Sequence, residues 1–213
     1  MDVLAALHEV DPDEVGLGEL GKRDSYVGRQ LKTWYRSWTS SVGPADFDDP
    51  RAHELQDFFL KHLPDQGPIK VVHGDYGPHN ILVGPNCYIH AVVDWEISTL
   101  GDPLADLAYA LNPWPDPTDP EPPLAEAALS PSGFPTRTEL AARYAEKSGR
   151  DLSNLDYYIG FNRWKSAAII HGVYARYCAG AKSTEGIDLE EMRERIPRGL
   201  DLAERAVNRL SYS

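Results

Sequence analysis

Between residues 71 and 102 the chain carries two short apolar runs, Ile81-Leu82-Val83 and Tyr88 to Val93, parted by Gly84-Pro85-Asn86. Runs of this length and composition predict strands, and the Gly-Pro-Asn break predicts a tight return, so the segment is expected to fold as a β-hairpin. An antiparallel return brings Asn80, which enters the first strand, to the same end of the ribbon as Asp94, which leaves the second. Asp75 lies just upstream in a loop with Gly74, Gly77 and Pro78. Loops fixed by a rigid sheet are where reactive side chains concentrate. Whatever else the chain forms has to be built around a ribbon that gathers one carboxamide and two carboxylates.

Those groups suit phosphoryl transfer, in which a protein mainly positions its reactants and neutralises charge. One carboxylate takes or orients the proton of the attacking hydroxyl, while a second carboxylate and an Asn hold magnesium on nucleotide phosphates. Magnesium prefers hard oxygen ligands and keeps several waters, so one Asp and one Asn suffice. Other chemistries fit less well. A zinc site built from His73, Asp75, His79 and His90 leaves Asn80 and Asp94 unexplained, and the chain has neither His-Glu-x-x-His nor paired cysteines. A serine hydrolase would want Gly-x-Ser-x-Gly, which does not occur.

His73-Gly74-Asp75 with Asn80, then Asp94-Trp95-Glu96, then Gly101-Asp102-Pro103-Leu104-Ala105-Asp106-Leu107-Ala108, resembles the C-terminal lobe of the aminoglycoside phosphotransferase family, small-molecule kinases related in fold to protein kinases. The resemblance implies Asp75 as catalytic base, Asn80 and Asp94 as magnesium ligands, His73 as the brace of the catalytic loop, and ATP as phosphate donor. Asp94-Trp95-Glu96 stands where a protein kinase has Asp-Phe-Gly; the family keeps that Asp but not the Gly. Leu7-His8-Glu9-Val10-Asp11, Gly16-Leu17-Gly18, Arg29-Gln30, Trp34 and the stretch Tyr157 to Arg176 are similar to the branch that includes kinase-like domains fused to acyl-CoA dehydrogenases. The similarity thus runs over nearly the whole chain. The fold expected is mostly α with one small β-hairpin, a single C-terminal kinase lobe over residues 1–213 without its N-terminal lobe.

That absence has a physical meaning. A complete kinase of this kind needs a loop over the phosphates, a strand lysine on them and a helical glutamate paired with the lysine. Gly16-Leu17-Gly18-Glu19-Leu20-Gly21 matches Gly-x-Gly-x-x-Gly in form only: no apolar strand precedes it, acids surround it, and no Val-Ala-Ile-Lys-like strand follows. It reads as a flexible turn, and no Walker sequence is present. The chain is therefore expected to be a half-site, with ATP:alcohol phosphotransfer in the complete protein and little or none alone. Its upper lobe would be encoded upstream of a late start or carried by a separate polypeptide. The alternative is a non-catalytic module that binds a small molecule or a partner, although such a module would not need Asp75, Asn80 and Asp94 together. The acceptor is a small-molecule hydroxyl; the family's range covers aminoglycosides, choline-like alcohols, sugars and amino-alcohols, and the fused branch suggests hydroxyacyl compounds. Apolar surface around Trp34, Tyr35 and the catalytic loop is expected to pair with an upper lobe or with another copy.

Charge narrows the partners. With 33 acidic against 21 basic residues the net charge is -12, which disfavours nucleic acid and anionic membranes. No membrane span or signal peptide is visible, and Cys87 and Cys178 have no metal-ligand spacing, so a reduced, cytoplasmic chain with free buried thiols is expected.

Along the chain, Asp2 to Val10 predicts a short helix with Asp2 as N-cap. Ser25 to Ser40 predicts a second, with Val27, Leu31, Trp34, Tyr35 and Trp38 on one face. Asp49-Pro50 opens a third, running to Leu63, and Asp102-Pro103 a fourth. Asp106 follows Asp102 by one turn, and for both a structural part, as cap and as buried partner of the loop around Asp75, is preferred to direct catalysis. Prolines crowd Pro113 to Pro135, predicting an irregular loop that is either a plain connector or a lid over the acceptor. Thr136 or Thr138 opens a helix ended by Gly149; Leu155 to Ala179 predicts the central helix, with Gly172 permitting close packing. Ile187 to Leu210 predicts a solvated outer element, kinked or split at Pro197.

Overall fold

Helix boundaries in the computed structural model, which describes residues 1–114 and 133–210, follow local capping chemistry. Asp49 accepts the N–H of Arg51 and Pro50 takes the first position of α3 (Pro50–Lys61). Asp102 accepts the N–H of Leu104 ahead of Pro103 in α4 (Pro103–Leu111). Thr136 and Glu139 exchange bonds in a capping box at the head of α5 (Arg137–Ser148), which Gly149 ends at φ 66°. Each such cap stabilises its helix by about 1 kcal/mol. In α1 (Asp2–Glu9) the cap is Met1, not Asp2; Asp2 instead stands in the first turn and pairs with Arg143 at 2.8 Å. Of the proline-rich stretch, 115–132 lies outside the described residues.

The polypeptide divides into two compact units, residues 1–26 with 65–155 and residues 27–64 with 156–213. In the first, β1 (Lys70–Val72) pairs antiparallel with β4 (Thr99–Gly101), and β2 (Ile81–Val83) with β3 (Ile89–Val92). The expected hairpin is present, with an irregularity between Leu82 and Val83 and a turn in which Cys87 adopts φ 61°. The fold is accordingly mostly helical with two small sheets rather than one. The additional pair joins three-residue strands far apart in sequence, and its burial on Val71, Val72 and Leu100 rather than any local periodicity drives it. Beneath the sheets Leu4, Ala5, Tyr76, Leu107, Leu111, Ala141 and Tyr144 form a buried cluster. Gly16 to Gly21 forms a hydrogen-bonded turn, with Leu17 N–H on Pro12 and Leu20 N–H on Leu17, and Gly21 lies against Thr99 of β4.

In the second unit Phe59 meets Tyr157, Phe161 and Trp164 edge to face at 5.3, 6.3 and 6.4 Å. The Tyr157 hydroxyl and Trp164 indole N–H are donated to the carbonyls of Phe59 and Ala52. These belong to α6 (Leu155–Cys178), where Gly172 sits under Ser37 of α2 (Tyr26–Ala45). Helix α2 runs five residues beyond its expected end at Ser40, through Pro44. Likewise α7 (Leu189–Val207), capped by Asp188, continues through Pro197 as one helix, and Ile196, Leu200, Ala203 and Ala206 are buried along it. It is an amphipathic core helix, not a solvated outer element; burial of that stripe outweighs the one backbone bond that proline removes. Trp34 and Tyr35 are half-buried, the indole N–H on Gln30 and the phenol against His53. Both cysteines are free and exposed, contrary to the expectation that they would be buried. Among the described residues no helix is long and apolar enough to cross a membrane.

Candidate active site

The first unit assembles the site from the end of β1, a single 3₁₀ turn (Pro78–Asn80), the β2–β3 hairpin and α4. Asp106, on the first turn of α4, is fully buried, and its two carboxylate oxygens accept the backbone N–H groups of His73 and Gly74, each at 2.8 Å. His8 Nε2 approaches the same carboxylate at 3.2 Å, and His8 Nδ1 meets the Tyr144 hydroxyl at 2.7 Å. Burial alone would push the Asp106 carboxyl up. The His8 ring and the two N–H donors outweigh it and hold the group below the usual carboxylate range. A helix is thereby clamped to a loop, and the loop can then turn sharply: Gly74 sits at φ 86°, where a Cβ would press on Ile97 at 3.2 Å.

His73 is itself fully buried, and both its ring nitrogens are engaged. Nε2 lies 2.9 Å from the Val93 carbonyl, to which it can only donate, and Nδ1 accepts the Asp75 N–H at 3.2 Å. This arrangement fixes the Nε2–H tautomer. The ring thus ties the residue before Asp94 to the backbone of Asp75. Trp95 lies over it, with ring centroids 4.7 Å apart.

Asp75 presents a partly accessible carboxylate with two neighbours on one oxygen and one on the other. Oδ1 accepts the Tyr109 hydroxyl at 2.5 Å and has His79 Nε2 at 3.3 Å; Oδ2 accepts Asn80 Nδ2 at 3.1 Å. Asn80 is buried and its Nδ2 also reaches the Asp75 carbonyl at 2.9 Å. Both bonds use the amide nitrogen, so Oδ1 is the atom left for a hard cation. Across the hairpin mouth the Val93 N–H is donated to the Asn80 carbonyl at 2.9 Å, which places Asn80 and Asp94 at the same end of the ribbon. Asp94 is exposed at φ 64°, and among the described residues its carboxylate makes no hydrogen bond or ion pair. An amide oxygen and an uncommitted carboxylate are the donor set magnesium favours. A zinc site on His73 is excluded by its two engaged nitrogens, and no three His, Cys, Asp or Glu side chains are grouped to hold a metal among the described residues.

The structure therefore gathers His73, Asp75, Asn80 and Asp106 into one hydrogen-bonded set, puts Asp94 beside it, and leaves Asp102 as the cap of α4. Sequence reasoning gave no site role to Tyr109, His8 or Tyr144, and weighed His79 only as a zinc ligand. For His8 a signal existed: it falls on the same buried helix stripe as Leu4, and a histidine there needs a polar partner. Tyr109 lies one turn beyond Asp106, a spacing that indicates a shared face but not what the hydroxyl meets.

Comparison with known proteins gives concordant results. Residues 1–143 match the family described as phosphotransferase enzyme family. The rat acyl-CoA dehydrogenase family member 11 is 32% identical over 98% of this chain, which spans only 27% of that relative's length. A Ralstonia eutropha structure assigned to the aminoglycoside phosphotransferases superposes on 99% of the chain with a TM-score of 0.83 and 27% identity; the chain covers 64% of it. Choline kinase from Cryptosporidium parvum shares the fold, with a TM-score of 0.64 and 11% identity over 97% of this chain and 64% of its own. This is a kinase-like fold.

Proposed function

We infer that this chain, which belongs to the phosphotransferase enzyme family, supplies the base and the magnesium-holding side chains for transfer of the ATP γ-phosphoryl group to a small-molecule hydroxyl, as the C-terminal lobe of a kinase. The observation that carries the reading is the Asp75 carboxylate, fixed through both oxygens beside the Asn80 and Asp94 pair at the hairpin mouth. Asp75 takes the proton of the acceptor hydroxyl as its oxygen bonds to phosphorus and the bond to the bridging oxygen of ADP breaks. His73 holds the Asp75 backbone and the Val93 carbonyl in register, so that the base keeps its distance from Asp94. Asn80 Oδ1 and the Asp94 carboxylate would hold magnesium, which neutralises charge on the nucleotide phosphates.

A phosphate-covering loop and its lysine are expected from a separate lobe. Two observations support that view: about a third of each solved neighbour has no counterpart here, the chain covering 64% of both, and apolar side chains are exposed along the hairpin and the segment after it. Leu82, Val83, Tyr88, Trp95 and Ile97 are 54, 60, 71, 43 and 54% exposed. This is where covering surface is wanted, rather than at Trp34 and Tyr35.

Isothermal titration of ATP into the chain, with and without magnesium, tests the reading. Magnesium-dependent binding that disappears in Asp94→Asn supports it. Binding indifferent to magnesium, or unaltered in the variant, removes Asp94 from the nucleotide site.

A further inference from the structure

Helix α4 grips the catalytic loop twice. Asp106 takes the loop's backbone through His73 and Gly74 N–H; one turn later Tyr109 takes the reacting side chain itself, its hydroxyl 2.5 Å from Asp75 Oδ1. We propose that Tyr109 is the positioning residue of the phosphotransfer base: its phenol, donated to Asp75 Oδ1, locks the carboxylate in the single rotamer that faces the acceptor hydroxyl. The inference rests on the phosphotransfer reading of Asp75 but assigns a residue that reading does not use.

Three features argue for it. A carboxylate on a loop turns about two side-chain bonds, and the Asn80 bond to Oδ2 restrains one end only; a second donor on the other oxygen fixes the plane. Of the two groups at Oδ1, His79 is farther at 3.3 Å and its side chain is 56% exposed, whereas Tyr109 is shorter, half-buried and carried by a helix. The phenol also remains a donor throughout the working pH range: burial first, and then the bond to Asp75, push its ionisation up. Tyr109 cannot itself take the acceptor proton under those conditions. It serves Asp75, and Asp75 serves the reaction.

The test uses the intact chain labelled with carbon-13 and nitrogen-15. Three-bond couplings to the Asp75 carboxyl carbon report its side-chain rotamer. The expected result is one rotamer in the native chain and averaging over two or more in Tyr109→Phe, with first-unit amide shifts away from the Asp75 loop unmoved, which shows that the variant is folded. A single Asp75 rotamer in Tyr109→Phe, or averaging already present in the native chain, overturns the proposal. Magnesium-dependent ATP turnover, measured in an active assembly of the chain with a covering lobe, is the second readout. Loss of alignment predicts a kcat lowered about tenfold with KM for ATP unchanged, since misplacement of this kind costs rate rather than binding. A raised KM with kcat retained overturns the assignment to the base. Magnesium-dependent ATP binding that is unaltered by Asp94→Asn, in a chain whose Asp75 is released by Tyr109→Phe, keeps the positioning contact and sinks the phosphotransfer reading instead.

Discussion

The two sides of the site are built differently. On the Asp75 side nearly every polar atom is spoken for: Asp106 on two backbone N–H groups and His8, His73 through both nitrogens, Asp75 through both oxygens. On the Asp94 side the carboxylate is exposed, the backbone is left-handed, and Trp95 and Ile97 are 43 and 54% exposed. The difference separates two tasks. A base must be aimed before its substrate arrives, because orientation is most of its contribution. A cation ligand has to stay uncommitted until the ion and its nucleotide supply the partners.

Removing Asp106 should break that contrast most severely. Asp106→Ala strands two buried N–H groups and His8, a loss of about 3–5 kcal/mol, visible as a lower thermal midpoint. Asp94→Asn, on the other side, should leave the stability within about 0.5 kcal/mol of native. Equal losses in the two variants would mean that the sides do not differ.

Asp75→Ala should lower turnover in any active assembly by about 10²–10⁴-fold, with the fold and its melting retained; turnover that survives would take Asp75 out of the role of base.

Acid sharpens the comparison further. Because the folded Asp106 carboxyl lies below its unfolded value near 3.8, the unfolded chain takes up that proton first as pH falls. The stability it contributes is complete above about pH 5, begins to fall as pH drops toward the unfolded value, and is lost as pH falls through the folded value. Urea titrations between pH 6 and pH 3 should show this drop in the native chain and a shallower one in Asp106→Asn.

The smallest effect on stability belongs to the exposed ribbon. Leu82→Ser with Val83→Ser should shift melting by about 0.5 kcal/mol or less yet reduce self-association in sedimentation. A native chain that is already monomeric at high concentration would show that this apolar surface does not pair with itself.

What could be read from the sequence was local. Asp49-Pro50, Asp102-Pro103 and Thr136 or Thr138 set helix starts within a few residues, and the Gly84-Pro85-Asn86 turn set the hairpin. What could not be read was long-range. The β1–β4 pair joins strands of three residues each, too short for a period to register. The Tyr144–His8–Asp106 chain links residues as much as 136 positions apart, and nothing in the local pattern of any of them names the others. At Pro197 the local rule was outvoted: the chain continues the helix because a buried stripe lies on both sides of the proline.

The hydrogen bond from Val93 to Asn80 closes the hairpin at the site, so its far end is a free tip that carries Cys87 in the open. With Cys178, also exposed, changed to Ser, a thiol-reactive dye would mount there alone. The tip lies three residues from the catalytic end, about 10 Å along the strand. The protein thus comes with its own optical lever: changes in the dye's anisotropy on adding nucleotide would report events at the site from outside the set of side chains that Asp75 gathers.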